Sequence, residues 1–218
     1  MKDMTSMVEY YGREIPTTLS ELVDPKHTAL ILVDIQNDFC IKNGKLTCPE
    51  LVMNNKNLIE EARKVGVMII FIQDTLLPER LSDSAAWIRH YMVGLKTNDP
   101  NQVKESALDG TWGHEIVEDI KPQKGDLIIK KFRSSSFEGT PLDLLLRSNS
   151  VRTTIITGVV THGCVESTAR SASNEYFVVI PEDCVWAGNL ELHNACLTIM
   201  KSRYDVTTSK DIIEAWRR

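Results

Sequence analysis

Three residues in this chain stand where their types could do chemistry: Asp34, Lys131 and Cys164. Asp34 ends the apolar run TALILVD, Lys131 ends DLIIKK, and Cys164 follows TTIITGVV at the start of a helical pattern. A cysteine at a helix N-terminus meets unpaired backbone N–H groups and the positive end of the helix dipole, and both favour thiolate. A nearby lysine favours it further. An aspartate can take the thiol proton and later activate a water. Backbone amides at the same turn can hold a developing oxyanion. Together these are the parts for nucleophilic attack on a carbonyl. Each residue alone also has a plainer reading. Asp34 could cap a turn, and Lys131 could be solvated as most lysines are. Cys164 could be an inert buried thiol, the role expected here for Cys40, Cys48, Cys184 and Cys196.

The elements that must position these residues give them a common edge. Residues 28–34 and 67–73 are continuous apolar runs, the pattern of strands buried on both faces of a parallel sheet. Residues 126–131, 153–160, 177–183 and 204–208 read as further strands. Helical patterns run from Pro49 to the stop at Gly66, over PLDLLLRS, from Cys164 to Tyr176, from Glu191 to Lys201, and after the Ser209 cap. The alternation predicts an α/β fold: a three-layer, Rossmann-like, doubly wound sheet of about six mostly parallel strands. One domain is expected over residues 27–218, after an irregular lead-in over 1–26. In such a sheet ligands bind beyond the carboxyl ends of the strands, which is where all three residues fall. Residues 74–125 have weaker periodicity and read as a long excursion with a short helix around Ala85–Val93. Insertions of that kind often carry substrate contacts.

Charge and cysteine usage narrow the function classes. A formal net charge of −5 without a basic run argues against nucleic acid or anionic lipid as partner. No apolar stretch approaches the roughly 20 residues of a membrane helix, and the polar N-terminus is not a signal peptide. Five cysteines without a CxxC pair fit a cytoplasmic protein with neither a disulfide framework nor a zinc knuckle. A redox protein using Cys164 would need a resolving partner, for which Cys40 is the one candidate near the Asp34 strand end. A nucleotide-binding oxidoreductase would carry GxGxxG after the first strand, and none is there.

Three blocks resemble a known family. ALILVDIQNDFC, KKFRSSSFEGTPLDLLLR and TGVVTHGCVESTARSA are similar to the aspartate, lysine and nucleophile blocks of the isochorismatase-like cysteine hydrolases, the group of N-carbamoylsarcosine amidohydrolase, ureidoacrylate amidohydrolase and nicotinamidase. The similarity runs from about Ala29 to about Ala187. It implies a Rossmann-like hydrolase with an Asp34–Lys131–Cys164 triad and no cofactor. The implied reaction is cysteine-dependent hydrolysis of a small amide or N-carbamoyl (ureido) compound through a thioester. Members that cleave the vinyl ether of isochorismate lack the cysteine, so its presence here points to amide chemistry. The family spacing, counted back from Phe137, favours Lys131 over Lys130, and strand alternation puts those two on opposite faces.

The resemblance further implies a cis peptide between Val159 and Val160, an oxyanion hole from the Val160 and Cys164 amides, and a homodimer or homotetramer. QDTLLPERLSD lacks the histidine pair of the metal-binding members, so no metal is expected. Ser171 replaces a common family aspartate and is expected to affect packing or pairing. Phe39 either walls the substrate pocket or packs in the core. Gln73 either hydrogen-bonds an amide substrate or satisfies a loop, and His162 either touches substrate or is structural. Trp87, Tyr91 and Trp112 could form a lid or a subunit contact, and His114 is expected near the site or an interface. A catalytically silent binding protein of the same fold is the alternative reading. The substrate itself stays open among ureidoacrylate, N-carbamoyl amino acids, biuret-like ureas, maleamate and nicotinamide, with nicotinamide disfavoured by the missing histidine pair.

Overall fold

The structure is a computed structural model that describes residues 7–218. In chain order the elements that position the site are β1 (Thr28–Val33), α1 (Pro49–Val65), β2 (Met68–Asp74), α2 (Ala85–Gly94), β3 (Leu127–Lys131), α3 (Leu142–Ser148) and β4 (Thr153–Val159). They continue with α4 (Glu166–Ala172), β5 (Phe177–Pro181), β6 (Val185–Trp186), α5 (Leu190–Lys201), β7 (Asp205–Thr207) and α6 (Ser209–Trp216). The strand order is β7-β5-β4-β1-β2-β3, and β6 pairs with the C-terminal end of β4. Every pairing in this seven-stranded sheet is parallel.

All six residues of β1 are buried, which requires helices on both faces. Leu30 and Leu32 join one core with residues of α1 and α6. Ala29, Ile31 and Val33 join the other, with residues of α3, α4 and α5. The three layers follow from that alternation. α1 opens with Pro49 in its first turn and closes on Gly66 at φ 80°, a left-handed cap that glycine adopts without a Cβ clash. Its buried stripe includes Val52, Leu58, Ile59 and Ala62, the face the sequence pattern predicts.

The chain moves outward from β1 to β2 and β3, then returns to place β4 on the other side of β1. This reversal is the topological switch point, where an open α/β sheet leaves a crevice at its carboxyl edge. Asp34 follows β1 and Cys164 follows β4, so the two flank that crevice.

The structure differs from the sequence reading in places. Within the expected irregular lead-in, Val8–Tyr10 and Arg13–Ile15 form an antiparallel hairpin, and Leu19–Leu22 form a helical turn with a Thr18–Glu21 capping box. Residues 1–6 of that segment lie outside the described residues. The two-residue strand β6 is too short to leave a periodic signal. The helix expected from Cys164 to Tyr176 covers only Glu166–Ala172 and is preceded by a wide turn over Thr161–Val165. Gly163, at φ −117° and ψ −106°, breaks the helical path there.

Candidate active site

Asp34 leaves β1 with φ 55°, a conformation uncommon outside glycine. Its amide still donates to the Ile72 carbonyl at 3.1 Å, and its own carbonyl accepts from the Gln36 amide at 2.8 Å. Lys131 is the last residue of β3 and is fully buried. Its Nζ lies 2.9 Å from Asp34 Oδ2, 2.9 Å from Asp74 Oδ1 and 3.3 Å from Cys164 Sγ. Lys130 points to the other face and pairs with Asp109 at 2.7 Å near the surface.

Cys164 sits in the wide turn that follows a cis Val159–Val160 peptide. Buried Thr161 anchors the start of this turn: its Oγ1 meets His193 Nδ1 at 2.8 Å, and its carbonyl accepts from the Cys196 thiol at 3.4 Å. On α4, Thr168 Oγ1 accepts from the Ser136 amide at 3.0 Å. Ser171 Oγ meets Ser135 Oγ at 2.8 Å. Thus two residues of the nucleophile block are tied to the Ser-rich turn after β3, and Ser171 serves pairing.

The three groups set one another's protonation. For Lys131, burial alone would favour the neutral amine. The negative charges of Asp34 and Asp74 outweigh it and hold the pKa well above the ordinary lysine value. Burial pushes the Asp34 carboxyl up to about 6 against the pull of Lys131, and the charge of Asp74 adds to the rise. Cys164 is pushed well above the ordinary thiol value by burial first and by Asp34 second, with Lys131 opposing. This corrects the expectation of a resting thiolate. Two carboxylates and burial outweigh one ammonium, and α4 begins only at Glu166, so the sulfur does not sit on the first turn of a regular helix. Asp34 Oδ1 is buried and has no hydrogen-bond partner among the described residues, which leaves one acceptor site open beside the thiol.

A cavity of about 300 Å³ opens at Asp74, with Phe39, Trp87, Tyr91 and Phe132 among its lining residues. Phe39 both lines this cavity and packs on the core, so its two readings coexist. Gln73 has the opposite strand parity from Asp74, and its amide donates to the His114 carbonyl at 2.9 Å, the loop-satisfying role. His162 is exposed and outside the cavity lining. Trp112 is exposed, and its carbonyl accepts from Asn37 Nδ2 at 2.8 Å. His114 is buried, with Nε2 3.0 Å from Thr75 Oγ1.

Two residues of this region escape the sequence reading. Asp74 follows Gln73 directly, and the strand parity shared with Lys131 is the signal that could have identified it. Gln36 is buried, takes the Asp74 amide on Oε1 at 2.8 Å, and donates to the Asp74 carbonyl at 3.0 Å. It thereby fixes the end of β2 against the turn after β1. Among the described residues no group of three or more His, Cys, Asp or Glu side chains is placed to hold a metal ion. No helix among them is long and apolar enough to cross a membrane.

Comparison with known proteins places this geometry in context. Residues 28–211 match the isochorismatase domain family model. Ureidoacrylate amidohydrolase RutB of Enterobacter sp. (strain 638) is 33% identical over 183 residues, covering 73% of this chain and 75% of that protein. A cysteine hydrolase from Pseudomonas syringae pv. phaseolicola 1448A superposes with a TM-score of 0.77 at 26% identity, over 90% of this chain and 95% of the other. N-carbamoylsarcosine amidase from Thermoplasma acidophilum superposes with a TM-score of 0.66 at 27% identity, over 84% of this chain and 96% of the other.

Proposed function

This chain belongs to the isochorismatase family and is a hydrolase acting on C–N bonds, and from that premise we propose that it is a cysteine-dependent amidohydrolase of small amide or N-carbamoyl compounds. The observation that carries the reading is the buried ammonium of Lys131, within 3.3 Å of the Cys164 sulfur and 2.9 Å of the Asp34 carboxylate.

The Cys164 thiol gives its proton to Asp34 as the sulfur attacks the carbonyl carbon. A neutral thiol that loses its proton only during attack suits a site where burial disfavours a resting thiolate. The tetrahedral oxyanion is held by the backbone amides of Val160 and Cys164. Asp34 then passes the proton to the leaving nitrogen, the C–N bond breaks, and a thioester remains. Water loses a proton to Asp34 and attacks the thioester. The C–S bond breaks, and the proton returns to the sulfur. Lys131 keeps the developing thiolate and the Asp34 carboxylate in register throughout. A small-molecule substrate, no cofactor and a homo-oligomeric assembly complete the proposal.

The test is ammonia release from a panel of amides and carbamoyl compounds, with wild type beside Cys164→Ala. Loss of the nucleophile is expected to lower kcat by about a thousandfold or more. A Cys164→Ala protein that keeps most of its turnover would overturn the assignment.

A further inference from the structure

The cavity that opens at Asp74 has a composition that selects among substrates. Trp87, Tyr91 and Leu95 lie at four-residue spacing from α2 through its C-cap, so one stripe of that helix forms a wall. Phe39, Leu76 and Val103 supply further apolar surface. No residue of α2 is fully buried, so these side chains are packed about the cavity rather than in the core. An apolar cavity of about 150 Å³ already admits a benzene ring, and this one measures about 300 Å³.

Several of the charges around it are already engaged. Arg80 donates to Asp83 Oδ2 at 3.0 Å and to the Val103 carbonyl at 2.5 Å. Arg133 donates to the Ser82 and Phe132 carbonyls and lies over the Trp87 ring at 5.5 Å. Lys104 also lines the cavity but is exposed, where its charge is screened. Asp74, in the cavity wall, pairs with Lys131 through Oδ1. The Asp74 end of the cavity therefore offers an acceptor, and beside it the Asp34 and Asp74 carboxylates together exceed the one Lys131 ammonium, which disfavours an anion there.

We propose that this cavity holds the body of the substrate that is not hydrolysed. That body is an uncharged aryl or branched alkyl group, and Asp74 accepts a hydrogen bond from an N–H of the attached amide or carbamoyl end. The inference rests on the reading of Cys164 as nucleophile, and it sets a small carboxylated ureido acid below an aryl amide or aryl urea as substrate.

Alkylation of Cys164 tests this without any turnover. Wild type is treated separately with iodoacetamide, iodoacetanilide and iodoacetate. In each case a C–S bond forms, iodide leaves, and the thiol proton is lost. Modification of Cys164 is followed by peptide mass mapping, and each rate is divided by that of glutathione with the same reagent. The corrected rate for iodoacetanilide should exceed that for iodoacetamide by about tenfold, as a ring packed on aromatic walls allows. Iodoacetate should lag iodoacetamide by about tenfold because the Asp34 and Asp74 carboxylates together outweigh the Lys131 ammonium.

Trp87→Ala and, at an exposed position that spares the fold, Leu95→Ser should each shrink the aryl advantage. Asp74→Asn should narrow the gap between iodoacetamide and iodoacetate. Equal corrected rates for the anilide and the amide, equal rates for the acetate and the amide, or no modification of Cys164 by any reagent would each overturn the inference. The expected labelling pattern without amide turnover would instead sink the proposed activity and leave the cavity assignment standing.

Discussion

Asp74 and Lys131 are register partners at the carboxyl ends of β2 and β3, and their side chains also meet, Oδ1 to Nζ at 2.9 Å. The second carboxylate changes the character of the site. A buried lysine facing one aspartate and one thiol would form a balanced ion pair. With Asp74 added, the site carries excess negative charge, and that excess helps to keep the Cys164 proton on sulfur until a substrate is in place.

Removing the ammonium should therefore be costly. Lys131→Met leaves Asp34 and Asp74 without their cation, and breaking a buried pair in this way costs about 3–5 kcal/mol. Lys130→Met loses only the near-surface contact to Asp109 and should unfold close to the wild-type urea midpoint. Urea denaturation of the two variants checks this. Equal midpoints would show that the three-way contact at Lys131 is not holding the sheet edge together.

The acid limb of activity should report Asp34. The carboxylate must be ionised to take the thiol proton, and burial raises its pKa to about 6. The kcat/KM profile should thus rise through pH about 6 and not near the ordinary aspartate value. The negative charge of Asp74 contributes to that rise, so Asp74→Asn should move the limb to lower pH. An acid limb unmoved by the substitution would uncouple the two carboxylates.

The same shift has a consequence for stability with a definite sign. Asp34 binds its proton more tightly in the folded state than in the unfolded chain, where its value is near 3.8. Its contribution is then fully favourable below about pH 4 and is lost as pH rises through about 6. The two-unit difference corresponds to about 3 kcal/mol. Asp34→Asn, an amide that tolerates the left-handed backbone well, should remove this part of the pH dependence. Melting temperatures from pH 4 to pH 7 would reveal it as a gap between variant and wild type that widens with pH.

A backbone position away from the reacting atoms should be equally unforgiving. Gly158 stands at φ 111°, and a Cβ there would fall 2.0 Å from the Val33 carbonyl oxygen. The close approach of β4 to β1 beside Asp34 depends on that missing atom. Gly158→Ala should give little soluble protein, or protein whose melting temperature falls steeply. A normally stable Gly158→Ala would mean that the two strand ends can separate without loss. By contrast, Gly66→Ala meets no neighbouring atom and carries only the strain of its left-handed cap.

Much of this arrangement can be read along the chain. The apolar runs over 28–33 and 68–72 are strands because side chains buried on both faces leave no room for alternation. Strand ends in such a sheet share an edge, so Asp34, Lys131 and Cys164 can be brought together from sequence alone. Choosing Lys131 over Lys130 rests on motif spacing, while parity says only that one of the two can enter the site; both are local properties. Asp74 was within reach of the same parity argument, since it occupies the last position of β2 as Lys131 does of β3.

What lay beyond the sequence is whatever depends on several elements at once. The direction of the Cys164 pKa is one case. Cysteine position and a nearby lysine suggest thiolate, but burial and a carboxylate from β1 and another from β2 set the balance, and only their distances decide it. The fate of Gln73 is another, because its partner His114 lies in the excursion between β2 and β3, where local periodicity is weak. The cavity is a third. Its walls come from α2, from residues 102–106 and from the turn after β1, and no pattern along one segment encodes their meeting. The sequence determined the fold, the edge and the reacting groups, since these follow from local alternation and short spacing. The tertiary structure decided charge state and cavity shape, since those are sums over neighbours distant in the chain.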